Sequence, residues 1–381
     1  MSRLIQFALT QRVLVILVTA LLAGFGYFAF TQLPIDAFPD VSPTQVKIIV
    51  KAPGMTPEEV ENQITAPIEL ELLGIPRQVM LRSIAKYALS DITVDFAEGT
   101  DIYWARQQVA ERLAAVWDNL PADIEGGIAP MTTPLGEMFM FTVEGNLSLT
   151  ERRTVLDWII RPALRTVPGV ADVNSLGGYV RSFEIKPDPL RMAARGVDPL
   201  ILGKALEENN RNDGAGRMRE GEEALLVRSA GRIRDLDDVR AIVVKVENGT
   251  PIRVSDVATV GIGAITRYGA VTQNGEVEAV QGLVLGLRGA NARDVVDGVR
   301  RKLDEIESAL PDGVTVDIFY DRGNLVQRAV GTVSKALAEA TVLVVILLVL
   351  FLGDIRASIS VALVLPLAAL ATFILMRQFG M

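Results

Sequence analysis

Three long apolar stretches occur in the chain, and each is long enough to meet a lipid bilayer. Residues 13–35 and 357–376 carry no charged side chain, and residues 340–353 form a charge-free run of mainly Val, Ile and Leu. A helix needs about 20 apolar residues to cross the hydrocarbon. The first and third stretches therefore qualify as spans. The second qualifies if it is extended to residue 336, with Glu339 at the membrane surface or facing another helix; the alternative is a buried core helix.

The first stretch has the features of a retained membrane anchor. It is long for a signal peptide, and no small-x-small cleavage site follows it. Arg3 and Arg12 precede it, which predicts a cytoplasmic N-terminus. The region between the first two spans is then expected outside the cytoplasm, and Asp354 and Arg356 form a tight cytoplasmic turn between the second and third spans.

A strand–glycine–helix–proline unit recurs four times between the first and second apolar stretches. Each glycine is followed 21 or 22 positions later by an aliphatic residue and a proline, in the ranges 54–76, 99–121, 145–168 and 289–311. Internal repeats of this kind indicate a repeated supersecondary structure. Proline stops each helix because it cannot continue the hydrogen-bond ladder. Pro67, inside the first unit, predicts a kink or an early end of that helix.

Periodicity inside the units supports helices flanked by strands. The second and fourth units each contain an apolar stripe at helical spacing: Ile102, Ala105, Val109, Leu113 and Val116 in one, and Val295, Val299, Leu303, Ile306 and Leu310 in the other. The strands that follow the first and fourth units alternate with period two, as in residues 92–96 and 314–318. Two such units make one ferredoxin-like βαβ module, so four units predict two modules.

The second predicted module is interrupted by an insert of about ninety residues, 181–269, with a different composition. A polar, glycine-rich stretch at 209–216 is followed by short strands near 224–227, 242–246 and 251–254. The polar stretch is compatible with an exposed hairpin or arm, and equally with a surface loop.

Composition excludes several classes of function. The chain has 381 residues, 50% of them hydrophobic and 22% charged, which indicates a part-membrane, part-soluble protein. Its formal net charge of −8 gives no electrostatic reason to expect nucleic-acid binding. Cys and His are both absent, so thiolate or imidazole metal sites and catalytic triads cannot form. An enzyme is not expected, nor is a bound cofactor.

Six short segments, in order, carry a resemblance to the heavy-metal branch of the resistance–nodulation–division transporters, especially its cobalt–zinc–cadmium efflux pumps. The segments are residues 33–40 (LPIDAFPD), 61–65 (ENQIT), 99–106 (GTDIYWAR), 170–173 (VADV), 289–293 (GANAR) and 320–322 (YDR). The match runs over essentially the whole chain. It implies an α+β membrane protein with transmembrane helices, periplasmic ferredoxin-like porter modules and an inserted docking subdomain.

The resemblance also implies domain boundaries. Residues 1–32 are the cytoplasmic N-terminus and first membrane helix, and 33–133 the first porter module. Residues 134–180 and 270–324 form the second module, 181–269 the docking insert and 325–381 the second and third membrane helices. Members of the family are inner-membrane homotrimers that work with a periplasmic adaptor and an outer-membrane channel and exchange protons for substrate.

The chain is expected to be the N-terminal part of such a pump and not to transport alone. In the family, a fourth span carries the aspartates of the proton relay, and no acidic residue lies in the centre of the three spans present. Two alternatives remain: a fragment of a multidrug exporter of the same fold, and a membrane-anchored periplasmic scaffold without transport activity.

Glu137 is the candidate metal ligand. It lies at the expected joint between the two porter modules, and a carboxylate suits a divalent cation such as zinc or cobalt. The family's zinc-handling members resemble this Gly136–Glu137 pattern, whereas the copper–silver relatives tend to lack the acid; a solvated glutamate at a strand start is the alternative.

Three methionines form a second candidate, a thioether site for a soft monovalent metal, at Met131, Met138 and Met140. Core packing is favoured for them, because the strand at 136–143 is apolar on both faces. Asp36 and Asp40 lie among prolines and are interpreted as turn residues.

Overall fold

The computed structural model describes residues 7, 10–33, 40–210, 212–220, 223–247 and 249–379. It begins with an apolar helix, α1 (Arg12–Gln32), whose side chains are largely exposed. Asp36 and most of the segment 33–40 lie outside the described residues. The prediction of turn residues there can therefore be compared with the structure only at Asp40.

The first sheet is built from the first two repeat units. Its elements are β1 (Gln45–Lys51), α2 (Pro57–Val60), α3 (Ala66–Leu72), β2 (Gln78–Lys86), β3 (Leu89–Phe96), α4 (Ile102–Trp117) and β4 (Glu125–Ile128). The strands pair antiparallel in the order β2-β3-β1-β4. The helices cover one face, where Ile48, Ile64 and Ile92 are fully buried. The stripe predicted on α4 is the face that packs against this sheet.

The second sheet begins with the third repeat unit and is then interrupted. Its first elements are β5 (Glu137–Glu144), α5 (Leu149–Val155), α6 (Arg161–Leu164) and β6 (Val170–Gly177). The insert follows as β7 (Arg181–Pro187), α7 (Pro189–Ala194), α8 (Pro199–Glu208), β8 (Asn212–Glu220), β9 (Glu223–Ala230), α9 (Leu236–Ala241), β10 (Val243–Glu247), β11 (Thr250–Arg253), α10 (Val254–Val257) and β12 (Ala258–Ala264).

The insert has a small core of its own, centred on Val254 and Val257, and its first and last strands, β7 and β12, pair with each other. This pairing brings the chain back to where it left the second sheet. Strands β8 and β9 pair antiparallel with each other, from Asn212 opposite Ala230 to Glu220 opposite Glu223. Residues 212–216 of the polar stretch are therefore part of a paired strand and not of an irregular loop.

The chain then returns to complete the second sheet. The remaining elements are β13 (Val271–Gln273), β14 (Val277–Gly286), α11 (Ala292–Ile306), a 3₁₀ turn (Glu307–Ala309) and β15 (Thr315–Asp321). The order β6-β14-β5-β15 repeats that of the first sheet, strand for strand, and all pairs are antiparallel. Phe139 and Phe141 of β5 are fully buried beneath α11 and α5. Burying such a ring contributes about 1.5–3 kcal/mol.

The four repeat units also share features at the turns and caps that precede their helices. The turn glycines Gly54, Gly99, Gly145 and Gly289 all have positive φ, from +70° to +134°. Such φ values are readily available only to glycine, which explains why this residue opens each unit. The helices of units one and three both begin with a capping box, Thr56–Glu59 and Ser148–Glu151, whereas Asp101 and Asn291 cap units two and four.

Pro67 does not end its helix, so of the two outcomes predicted from the sequence, a kink or an early end, the early end is wrong. A π-helical turn, Glu61–Thr65, precedes α3, and the Ala66 N–H donates to the carbonyl of Glu61. The wider turn lets the helix continue past proline, whose ring would clash in a regular α-helix. The third unit has the same device, with a π turn at Leu156–Ile160 before Pro162.

Three helical segments are long and apolar enough to cross a membrane among the described residues: Arg12–Thr31, Arg322–Phe351 and Ile355–Phe379. The second is a single helix, α12 (Arg322–Leu352), which starts directly after β15, well before the apolar run. Within the described residues its apolar window has no buried residue, which favours a membrane span over a buried core helix. Glu339 on α12 is exposed and lies 3.9 Å from Lys335, one turn earlier.

The third segment consists of two helices, α13 (Ile355–Ala362) and α14 (Val364–Phe379). The predicted turn between the second and third segments has Gly353 in the left-handed conformation and Asp354 capping α13. Helix α14 packs on α1, where Gly26 lies against Leu370 so closely that an added Cβ would come within 2.6 Å of the leucine Cβ. A small residue at this contact lets the two helices approach each other.

Candidate functional site

Residues 130–136, here called the joint segment, link β4 of the first sheet to β5 of the second. Glu137 follows immediately as the first residue of β5, opposite Leu285 of β14. The Gly286 N–H donates to the Gly136 carbonyl at 2.7 Å, so the backbone beside Glu137 is held in the sheet. The Glu137 side chain is exposed. A fixed backbone therefore presents an accessible carboxylate at the junction of the two sheets.

The methionines next to Glu137 belong mainly to the protein interior. Met138 is 4% exposed and packs in the core of the second sheet, with its side chain against Gly286. Met140 and Met131 are half-buried. The core interpretation is confirmed for Met138, because a thioether enclosed by apolar groups is not accessible to a metal ion.

Arg288, which the sequence did not single out, contacts both sides of the joint. It lies in the loop between β14 and α11, and its guanidinium donates to the carbonyls of Ser42 (2.9 Å) and Pro43 (3.0 Å) and to Thr44 Oγ1 (3.4 Å). These acceptors immediately precede β1. The Arg288 N–H donates to the Met131 carbonyl at 3.2 Å. One residue thus connects the second sheet, the joint segment and the start of the first sheet.

Arg322 makes a second contact with the joint segment. Its side chain is at the first position of α12, is 5% exposed, and donates to the carbonyl of Leu135. This contact links the membrane-length helix α12 to a residue two positions before Glu137. The short segment YDR at 320–322 is part of the family resemblance, but only the fold brings Arg322 to the joint.

Asp40 belongs to the same group of contacts. As expected for a turn residue, it accepts a hydrogen bond from the Ser42 N–H at 3.0 Å. Burial acts to raise the pKa of Asp40, but hydrogen bonds from Ser42 and Thr133 and the nearby charge of Arg288 outweigh it, so the pKa lies below its usual 3.8. Asp40 is therefore held ionised beside the arginine.

A cavity of about 260 Å³ adjoins the joint on the open face of the first sheet, with Pro134 in its wall. Lys47 pairs there with Asp91 at 2.9 Å, which neutralises that carboxylate. In the part of the chain that the structure describes, no three acidic side chains come together as a metal-binding group. Within those residues Glu137 could therefore supply one ligand but not a complete coordination sphere, since zinc sites usually use three or four protein ligands.

Comparison with known proteins gives long matches. A sequence model described as the AcrB/AcrD/AcrF family matches residues 4–381. The chain is 42% identical over 382 residues to the cation efflux system protein CzcA of Alcaligenes sp. (strain CT14), covering 98% of this chain and 36% of the relative. It is 41% identical over 402 residues to the nickel and cobalt resistance protein CnrA of Cupriavidus metallidurans, covering 97% and 37%.

A solved structure gives the same result. The crystal structure of a heavy metal efflux pump superposes with a TM-score of 0.91 at 36% identity, covering 99% of this chain and 38% of that protein. The chain thus spans little more than a third of the length of the relatives it matches. Since the family match extends over nearly all of its residues, the chain belongs to the AcrB/AcrD/AcrF family.

Proposed function

We propose that the chain is part of a proton-driven exporter of divalent heavy-metal cations of the zinc, cobalt and cadmium type. The relatives that it matches at 41–42% identity over nearly its whole length are named for cation efflux or for nickel and cobalt resistance. Transport, rather than enzymatic catalysis, also agrees with a chain that lacks His and Cys.

In this proposal the two sheets are ferredoxin-like porter modules and the insert is a docking subdomain. The strand order of both sheets, with helices on one face, supports the first assignment. We place the protein in a bacterial inner membrane with residues between α1 and α12 in the periplasm. It is proposed to work as a homotrimer with a periplasmic adaptor and an outer-membrane channel.

Glu137 is proposed as one oxygen ligand for the exported metal ion. The observation that supports this role is its exposed carboxylate on a fixed backbone at the junction of the two sheets. Divalent zinc and cobalt accept carboxylate oxygen, whereas monovalent copper prefers thioether sulfur. The thioether of Met138, the residue next to Glu137, is buried. The remaining ligands come from other parts of the complete protein.

The test is metal tolerance of cells that carry the complete gene, its deletion, or Glu137→Gln. We expect the complete gene to protect against zinc, cobalt and cadmium, and Glu137→Gln to lose most of that protection, because glutamine keeps the shape but removes the negative charge. A ligand loss corresponds to about 10-fold or more in metal affinity. Glu125→Gln is the matched control, since Glu125 is also an exposed carboxylate at the first position of a strand.

Two results would contradict the proposal. Protection against copper alone would contradict the choice of metal and the role of Glu137. Equal loss of tolerance in Glu125→Gln and Glu137→Gln, with equal protein levels, would show that the effect is not specific to the joint.

A further inference from the structure

Arg288 makes the longest-range polar contacts of the joint. It reaches acceptors at positions 42, 43 and 44, which are 244 to 246 residues earlier in the chain. Two of these acceptors are backbone carbonyls, so the contact does not depend on the side chains of Ser42 or Pro43. A planar guanidinium with several N–H donors can satisfy two adjacent carbonyls at once, which a lysine ammonium matches poorly.

The backbone around Arg288 is tied to the same place. Successive N–H groups donate to the joint segment and to the turn before β6: Gly286 to the Gly136 carbonyl (2.7 Å), Leu287 to the Gly169 carbonyl (2.8 Å) and Arg288 to the Met131 carbonyl (3.2 Å). The loop that carries Arg288 is thus hydrogen-bonded near both ends of the joint segment. A side chain anchored on such a loop has little freedom of its own.

The acceptors of Arg288 are themselves fixed to the first sheet. Thr44 is 8% exposed; its hydroxyl donates to the Thr100 carbonyl at 3.2 Å, and its own carbonyl accepts from the Phe96 N–H at 2.8 Å. Asp40, whose carboxylate lies in the field of Arg288, accepts from Ser42 and so orders the residues just before these acceptors. The guanidinium therefore bridges the loop after β14 of the second sheet and the residues that lead into β1 of the first sheet.

We propose that Arg288 is a positioning residue: it fixes the orientation of the second sheet, and of Glu137 on it, relative to the first sheet. This inference rests on the proposed function as far as Glu137 is concerned. Without the guanidinium, backbone hydrogen bonds still hold the joint segment to the second sheet, but among the described residues no other side-chain hydrogen bond joins that sheet to residues 42–44. The two sheets then sample a wider range of orientations, and a metal ligand set shared across the joint is formed less often.

A distance measurement between the sheets tests this directly. Spin labels are placed on the complete protein at Tyr103→Cys on α4 and Trp158→Cys in the π turn after α5, both strongly exposed. This chain has no native cysteine; any cysteine elsewhere in the complete protein is replaced. Pulsed electron paramagnetic resonance then gives the distribution of distances between the two labels.

We expect Arg288→Ala to broaden that distribution about twofold and Arg288→Lys to give an intermediate width. The matched control is Arg293→Ala. Arg293 is an exposed arginine at the second residue of α11, and its replacement is expected to leave the width of the distribution unchanged. An Arg288→Ala distribution as narrow as that of the parent protein would overturn the proposal. If Arg288→Ala fails to fold, Arg288→Lys decides the same question.

Metal binding to the same variants separates this inference from the proposed function. With Glu137 a ligand, zinc titration of Arg288→Ala should show roughly 10-fold weaker binding, partly restored in Arg288→Lys. Unchanged zinc affinity in Arg288→Ala, when Glu137→Gln binds weakly, would refute the positioning of the ligand. If Glu137→Gln binds zinc normally, the proposed role of Glu137 is wrong, and the width of the distance distribution alone decides whether Arg288 fixes the sheets.

Discussion

Gly282 provides the sharpest test of how the second sheet is packed. It lies on β14 directly opposite Phe141 of β5, on the face covered by the helices, and both residues are buried. A Cβ added at Gly282 would come within 2.2 Å of the Phe141 ring. Normal contact would require the ring to move by about 1 Å, and a close-packed core resists such a shift. The missing side chain therefore provides the space for the ring.

Gly282→Ala is expected to destabilise the protein by about 1–3 kcal/mol, the usual cost of overpacking a core. Alanine has fewer backbone conformations than glycine in the unfolded chain, and this effect stabilises the folded protein. It offsets only about 0.4–1 kcal/mol of the destabilisation. A net loss of about 1–2 kcal/mol corresponds to a decrease in Tm of roughly 5 °C. The assay is the thermal unfolding of the purified protein in detergent, followed by tryptophan fluorescence.

A second substitution tests the cause. Phe141→Leu removes part of the ring, so the double variant Gly282→Ala/Phe141→Leu should lose about 1–2 kcal/mol less than the sum of the two single variants. Gly261→Ala is the control, because an added Cβ on that strand glycine meets nothing within 4 Å. Additive effects of Gly282→Ala and Phe141→Leu, or an equal Tm decrease for Gly261→Ala, would refute the packing argument.

Three further substitutions test local features by thermal unfolding. Ser148→Ala removes the capping box with Glu151 and should cost about 1 kcal/mol; no change in Tm would show that the box is not needed. Gly203→Ala, in the open face of α8, should stabilise by about 0.5–1 kcal/mol, and a lower Tm would contradict this. Asp40 has a lowered pKa, so its ionised form stabilises the fold above pH 3.8 and this contribution is lost as the pH falls through the folded pKa. Asp40→Asn should therefore lower the Tm at pH 7, and its difference from the parent protein should shrink as the pH is lowered below 3.8; a constant difference at all pH values would refute the assignment.

Pro67 and Pro162 both lie in helices that continue past the proline. Pro67 in the sequence predicts a kink or an early end of its helix, because proline cannot donate the hydrogen bond of a regular turn. The structure keeps the helix by widening the preceding turn, and it does so again before Pro162. Each π turn carries a fully buried isoleucine, Ile64 or Ile160, in the core of its sheet. Packing of the whole helix decided what propensity alone could not.

At the candidate site, too, one residue could be predicted from the sequence and another could not. Glu137 could be located at the junction of two units because the repeat spacing places the joint segment between them. The role of Arg288 could not be predicted, because nothing in the local sequence distinguishes this loop arginine from the nearby Arg293. Its role depends on carbonyl groups almost 250 residues away, and contacts over such separations have no local trace in a sequence.

The sequence by itself determined the spans, the four repeat units and the absence of thiol and imidazole chemistry. These follow from length, periodicity and residue type, which are local properties of the chain. Only the tertiary structure decided that both sheets share one strand order, that β8 and β9 pair with each other, and that Met138 is enclosed. It also brought Arg288 and Arg322 to the joint beside Glu137, because the pairing of β14 and β15 with β5 brings together residues that are far apart in sequence.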